Sequence, residues 1–282
     1  MIRPHLIAPG LASFPTRTPT LPPATHTCSY ALGEREVLLV EPATPDPEEQ
    51  QAWVEWARGL RSSGRTLVAL LATHHHHDHV AGAAFFAQAL GLPLWAHEAT
   101  ATRIAVPVER RWREGEELVL DGPVPQRWRM LHTPGHAPGH LCLHEPECRW
   151  LVVGDMVASV GTILIAPGEG DMAEYLRQLE RLASLNVALA LPAHGNPIDR
   201  PTDLFRRYLH HRLARERKVL EAVVEGKPEG QRLEEILLRA YEDTPTTLYG
   251  IAALSLQAHL DKLVAEGRVV RAGDRYTAGV DA

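Results

Sequence analysis

Thr73-His74-His75-His76-His77-Asp78-His79 places five histidines and an aspartate within seven residues. It follows residues 66–72, a continuous apolar run that reads as a fully buried strand. It precedes residues 82–90, which read as a helix. Histidine is the commonest metal ligand because its neutral imidazole offers a lone pair near pH 7. His74 and His76 are two positions apart, so in an extended loop both side chains point the same way. Asp78 and His79 follow at once, where the turn into the helix aims them at a neighbouring point. One loop can therefore serve two ions about 3.5–4 Å apart, the spacing of binuclear hydrolytic sites.

Three later segments supply further ligands: His136 in Thr133-Pro134-Gly135-His136, Asp155 in Val153-Gly154-Asp155, and His194 in Pro192-Ala193-His194-Gly195. Each follows a short apolar segment that reads as a strand (residues 127–131, 150–153 and 188–191), so each stands at the end of a rigid element. A carboxylate such as Asp155 can bridge two cations and reduce their repulsion. Around these lie strands at 36–40, 92–96 and 141–144, a helix at 50–61 with Trp53, Trp56, Ala57 and Leu60 on one face, and another at 171–185. Residues 1–27, rich in Pro and Thr, read as an extended lead-in. The alternation of strands and helices predicts sheets sandwiched by helices.

The set resembles the metallo-β-lactamase superfamily, whose hallmark is HxHxDH followed by a distant His, Asp and His, over about residues 25–200. The resemblance implies an αββα sandwich. It assigns His74, His76 and His136 to one metal, Asp78, His79 and His194 to the other, and Asp155 to both. Two divalent ions are implied, zinc foremost, with iron or manganese suited by the same ligands. Asp78 is then the catalytic residue that orients the attacking water and takes part in proton transfer. His75 and His77 are spacers. His140 either orients a ligand or packs in the core. Three positions depart from the family's usual pattern: Glu41-Pro42-Ala43 replaces Asp-Thr-Gly, Gly82-Ala83 replaces Gly-Gly, and Thr25-His26-Thr27-Cys28 replaces Thr-Asn-Thr-Tyr.

After about residue 202 the pattern changes to three helices (204–224, 233–241 and 254–266) and two short strands around Ala272-Gly273-Asp274. We divide the chain into a hydrolase domain, 1–202, and a C-terminal helical, winged-helix domain, 203–282. The tail resembles the superfamily branch that includes the lactamase-β-like-2 endoribonuclease and polyketide-releasing thioesterases; glyoxalase II enzymes share the metal motifs but end differently. With 13 Lys/Arg against 13 Asp/Glu in residues 203–282, a DNA-binding role for the tail is disfavoured. Packing on the hydrolase domain, shaping the pocket or building a homodimer is expected instead.

A net charge of −6 gives no general attraction to nucleic acid or anionic membrane. No apolar run is long enough to span a membrane, no signal peptide is evident, and three scattered cysteines fit a reducing cytoplasm. Without a GxSxG elbow, the expected chemistry is attack by a metal-activated hydroxide. The preferred substrate is a small-molecule ester or thioester. Single-stranded RNA is the alternative, with Arg110-Arg111-Trp112-Arg113 and Arg127-Trp128-Arg129 as weak candidates for a basic, stacking track.

Overall fold

The computed structural model describes residues 3–279. The chain forms two compact units. The first runs to Thr133 and takes in Pro138–Thr162 and Asn186–Pro201; the second comprises Pro134–Ala137, Ile163–Leu185 and the chain from Thr202 onward.

Two sheets build the first unit. One holds β1 (His5–Ala8), β2 (Leu11–Arg17), β3 (His26–Leu32), β4 (Glu36–Val40), β5 (Thr66–Leu71), β6 (Leu94–His97) and β7 (Val108–Trp112), side by side in that order. It is antiparallel up to β4 and parallel beyond, with the short helix α4 (Glu98–Ala101) between β6 and β7. The other holds β8 (Glu117–Leu120), β9 (Gln126–His132), β10 (Leu141–Glu145), β11 (Trp150–Gly154) and β12 (Leu189–Pro192), in the order β12-β11-β10-β9-β8.

The period of a strand decides how the layers stack. In β4, Leu38 and Val40 join Trp128, Met130, Leu141 and Leu143 in the core between the sheets. Their neighbours Val37 and Leu39 point the other way, onto Trp53 and Ala57 of α1 (Pro47–Ser62) and Phe86 of α3 (Ala83–Leu90). β5 divides likewise, Ala69 and Leu71 pointing inward and Leu70 toward the helices, as does Ala72 just beyond its end. A strand covered on both faces must be apolar throughout, which is why this one reads as a continuous run. Asp46 caps α1 by accepting the N–H groups of Glu48 and Glu49, with Pro47 pre-set in the first turn.

The lead-in reading needs correction: β1, β2 and the start of β3 lie within it. Pro15 obscured them. It sits in β2 opposite Cys28, whose N–H donates instead to Ala193 O, while on the other side β1 begins only at His5, paired with Ser13 and short of Pro15. The missing proline N–H therefore breaks no ladder.

In the second unit α5 (Met172–Ala183), α6 (Pro201–Val224), α7 (Leu233–Ala240) and α8 (Tyr249–Ala265) accompany a sheet of β13 (Gln231–Arg232), β14 (Val269–Ala272) and β15 (Arg275–Ala278). Val219, Ile236, Leu256, Leu260, Val269 and Tyr276 form its core. Ala272 pairs with Arg275, leaving Gly273-Asp274 as a two-residue turn in which Gly273 takes φ 64°. Three helices and a two-stranded wing make the expected winged helix. No helix among the described residues is long and apolar enough to cross a membrane.

One buried charge cluster ties this core together. Glu216 of α6 lies 2.8 Å from the Lys262 ammonium and 3.5 Å from His259 Nδ1, both on α8. Burial would raise the Glu216 carboxyl, but His259 and Lys262 hold it below its usual range. Burial also keeps His259 below the ordinary 6.5. Both groups bind protons more weakly folded than unfolded, so both contribute stability at neutral pH that is lost on acidification. Lys262, lowered by burial but raised further by Glu216 and Glu266, acts oppositely and loses its contribution only at high pH. Amide exchange in α8, corrected for its intrinsic rate, is expected to quicken as pH falls, first through the His259 range below about 6.5 and then through the carboxyl range below about 4.5, and Glu216→Gln should remove the second part. Protection independent of pH would contradict this assignment.

Candidate metal centre

β5 delivers the chain to Thr73 and the histidine loop, and a single turn, α2 (His77–Val80), carries Asp78 and His79. The loop is fastened through its backbone: Leu141 N donates to Thr73 O at 2.9 Å, and Thr27 Oγ1 donates to Asp78 O at 2.9 Å. The side chains of Asp78 and His79 therefore need not hold the loop themselves.

Four histidines share one tautomer. His194 Nδ1 lies 3.0 Å from His26 O, and His136 Nδ1 lies 2.9 Å from Leu164 O. A carbonyl can only accept, so each Nδ1 carries the proton and the lone pair is on Nε2. His79 Nδ1 donates to the Glu41 carboxylate at 3.1 Å, with the same result. Thr73 Oγ1 gives its own proton to Glu41 and so accepts from His74 Nδ1 at 3.0 Å. His74 Nε2 then faces His76 Nδ1 at 2.9 Å, two imidazole nitrogens converging from the same side of the loop. Hydrogen bonding at the far nitrogen is how metal-binding histidines are oriented and made more basic.

Two carboxylates meet two of these rings. Asp155 Oδ1 is 3.4 Å from His194 Nε2, and its Oδ2 is 3.6 Å from His79 Nε2. Asp78 Oδ2 is 3.5 Å from His194 Nε2 and its Oδ1 is 3.8 Å from His79 Nε2. His79 Nε2 is buried and makes no hydrogen bond among the described residues. A buried ring nitrogen left so would normally be costly. Two donors about 2.1 Å from one tetrahedral ion stand about 3.4 Å apart, so these separations suit a shared cation. The donor atoms of Asp78, His79 and His194 all lie within 4.8 Å of one another. The residues fit a divalent metal.

The electrostatics agree. Burial alone would push His79 down, but Glu41, Asp155 and Asp78 raise it well above 6.5. His194 is pushed down by burial and up further by Asp155. Asp155, which burial would raise, is held well below the usual carboxylate range by His194 and His79. Three carboxylates thus gather negative charge around His79 and His194 and favour a positive charge there, a proton on the rings or a cation in its place.

Of the seven expected ligands, Asp78, His79, Asp155 and His194 converge within the first unit, with His74 and His76 beside them; the His74 and His79 ring centroids are 4.0 Å apart. The spacer His77 is exposed. His136 belongs to the second unit. There Gly135, at φ 123°, accepts from Asp171 N at 2.8 Å and packs so closely that a Cβ would lie 2.4 Å from Tyr175 N. The N-terminal end of α5 thus fixes the backbone that carries His136.

Glu41, not among the expected ligands, also belongs to the site. It is fully buried at φ 62°, and its carboxylate accepts from Thr73 N, Thr73 Oγ1 and His79 Nδ1. One carboxylate thereby orients His79 directly and His74 through Thr73. An acidic residue at the strand end where the family carries aspartate was the available signal. His140 also has a defined role in the structure, as the acceptor for Asp155 N–H at 3.0 Å.

Known proteins match this picture. A family model described as the metallo-β-lactamase superfamily matches residues 21–194, and one described as the β-lactamase associated winged helix domain matches residues 233–278. The chain is 26% identical over 258 residues to the β-lactamase-like protein 2 homolog of Drosophila melanogaster, covering 87% of this chain and 84% of that protein. It is 26% identical over 258 residues to the atrochrysone carboxyl ACP thioesterase of Pseudocercospora fijiensis, covering 86% of this chain and 71% of that one. The crystal structure of a metallo-β-lactamase family protein from Thermus thermophilus superposes with a TM-score of 0.77 at 26% identity, covering 97% of this chain and all of that one. Family match, fold and clustered ligands agree: the chain belongs to the metallo-β-lactamase superfamily and is a hydrolase of that family with a C-terminal winged-helix domain.

Proposed function

We propose that this chain is a binuclear metal-dependent hydrolase of small-molecule thioesters or esters. His74, His76 and His136 would hold one divalent ion, Asp78, His79 and His194 the second, and Asp155 would serve both. Zinc is the first candidate, with iron or manganese compatible with the same donors. Bound, the pair would supply Lewis acidity to the acyl oxygen and lower the pKa of water towards 7. The chain's own groups do the rest. Asp78, whose carboxylate lies 3.5 Å from His194 Nε2, orients the attacking water and takes part in moving its proton. Water adds to the acyl carbon, the C–S or C–O bond breaks, and the proton leaves with the thiol or alcohol.

The burial of Trp112 and Trp128 carries the choice of substrate. Both are 0% exposed, so neither offers a ring on which an RNA base could stack. Two of the adjacent arginines are engaged as well: the Arg110 guanidinium lies 3.3 Å from the Trp112 ring centre, and Arg111 pairs with Glu98 at 2.8 Å. An overall charge of −6 points the same way. The thioesterase among the relatives supports an acyl substrate. Zinc-loaded protein should release thiol from an acyl thioester and leave labelled single-stranded RNA intact. RNA cleavage that disappears in Asp78→Ala would overturn the substrate reading.

A further inference from the structure

We propose that His140 is a positioning residue which, as a neutral imidazole protonated on Nδ1, sets the backbone from which Asp155 reaches both His79 and His194; this rests on Asp155 being a metal ligand. The ring is fully buried. Its Nε2 lies 3.0 Å from Asp155 N, and a backbone N–H can only donate, so Nε2 bears a lone pair. The proton of the neutral ring is then on Nδ1, which lies 2.8 Å from Thr133 Oγ1 and donates to it. One side chain thus joins the end of β9, the start of β10 and the residue after β11.

The neighbouring glycine shows how closely this fit is made. Gly154 takes φ 47°, and a Cβ there would stand 2.6 Å from His140 Nε2 and 3.0 Å from Thr73 Oγ1. The imidazole occupies the space a side chain at 154 would need. Aspartate has a short side chain, so a backbone shift at 155 passes almost undiminished to both carboxylate oxygens. Those oxygens stand 3.4 Å and 3.6 Å from two different imidazoles, and a sub-ångström displacement would favour one ring over the other. His140 touches no reacting atom; it acts through Asp155.

A histidine that merely packs would cost stability when replaced but leave metal affinity alone, so affinity is the discriminating readout. Three proteins are compared by zinc titration against a chromophoric chelator: wild type, His140→Phe, which keeps a ring but no acceptor, and His140→Gln, which can present an amide oxygen to Asp155 N–H. His140→Phe is expected to lose about 10–100-fold in zinc affinity, the range for groups that orient ligands, and His140→Gln to recover most of it. Affinity in His140→Phe equal to wild type would overturn the proposal. Should the phenylalanine variant not fold, nitrogen chemical shifts of His140 in wild type decide instead: protonation at Nδ1 alone supports the assignment, and protonation at Nε2 overturns it. A wild-type chain that binds no divalent ion overturns the metal reading, and with it this one. Affinity unchanged in His140→Phe overturns the inference alone.

Discussion

Alanine in place of Asp78 is expected to lower kcat for thioester hydrolysis by about 10²–10⁴-fold, the range for loss of a positioned acid–base group. The fold should survive. Thr27 grips the main-chain oxygen of Asp78, not its carboxylate, and that side chain is only partly buried, at 17% exposure. The loss should therefore appear in kcat while the melting temperature of the metal-free protein stays near wild type. Asp78→Asn separates the two roles of the carboxylate. The amide keeps an oxygen donor of the same shape but cannot accept a proton. If proton movement dominates, asparagine falls as far as alanine while metal content, measured by atomic emission, stays high. If coordination dominates, metal content and kcat fall together, and less for asparagine than for alanine. A kcat within tenfold of wild type in Asp78→Ala would contradict the proton-transfer role.

How much of this was legible beforehand follows from the physics of each signal. The ligand loop was open to reading because coordination chemistry narrows the residue types and the end of a strand narrows their spacing. Thr66–Leu71 was legible because burial on both faces leaves a uniform apolar run. Other features carried no such mark. The start of the chain read as an extended lead-in because Pro15 normally forbids a strand, and it is permissible here because β1 begins short of it and Cys28 N–H finds Ala193 O. β7 and β8 were hidden because their exposed faces carry charge: Arg110, Arg111 and Glu117 conceal the alternation that Trp112 and Leu118 would otherwise reveal. Glu41 shows the limit most clearly. Its type and place could be noted, but its reach to Thr73 and His79 depends on a positive φ and on β4 lying beside β5. The common histidine tautomer is likewise set by partners distant in sequence, His26 O for His194 among them.

The same packing logic yields the largest expected loss of stability, from Trp53→Ala. Trp53 is 0% exposed on the helix-covered face of the seven-stranded sheet. Its ring stacks on Phe86 with centroids 4.1 Å apart and meets Trp56 edge-on at 5.6 Å. Truncating a buried tryptophan costs about 3–5 kcal/mol, since the cavity left behind is too large for its neighbours to fill. In a chain of this size that corresponds to a fall in Tm of roughly 6–20 °C. A polar rescue is unavailable, because the surrounding side chains are Val37, Leu39, Ala57 and Leu70. Phe86 belongs to α3, which starts just after Gly82, and Gly82 N donates to Pro42 O at 3.0 Å beside the ligand loop. Loosening this stack therefore reaches the loop only through α3, whereas Leu141 and Thr27 hold the loop independently. Below its lowered melting point, zinc-loaded Trp53→Ala should keep kcat within a few-fold of wild type. A Tm shift under about 2 °C would show that the helix layer contributes little to the fold. A preserved Tm with lost activity would mean that the tryptophan serves the site rather than the core.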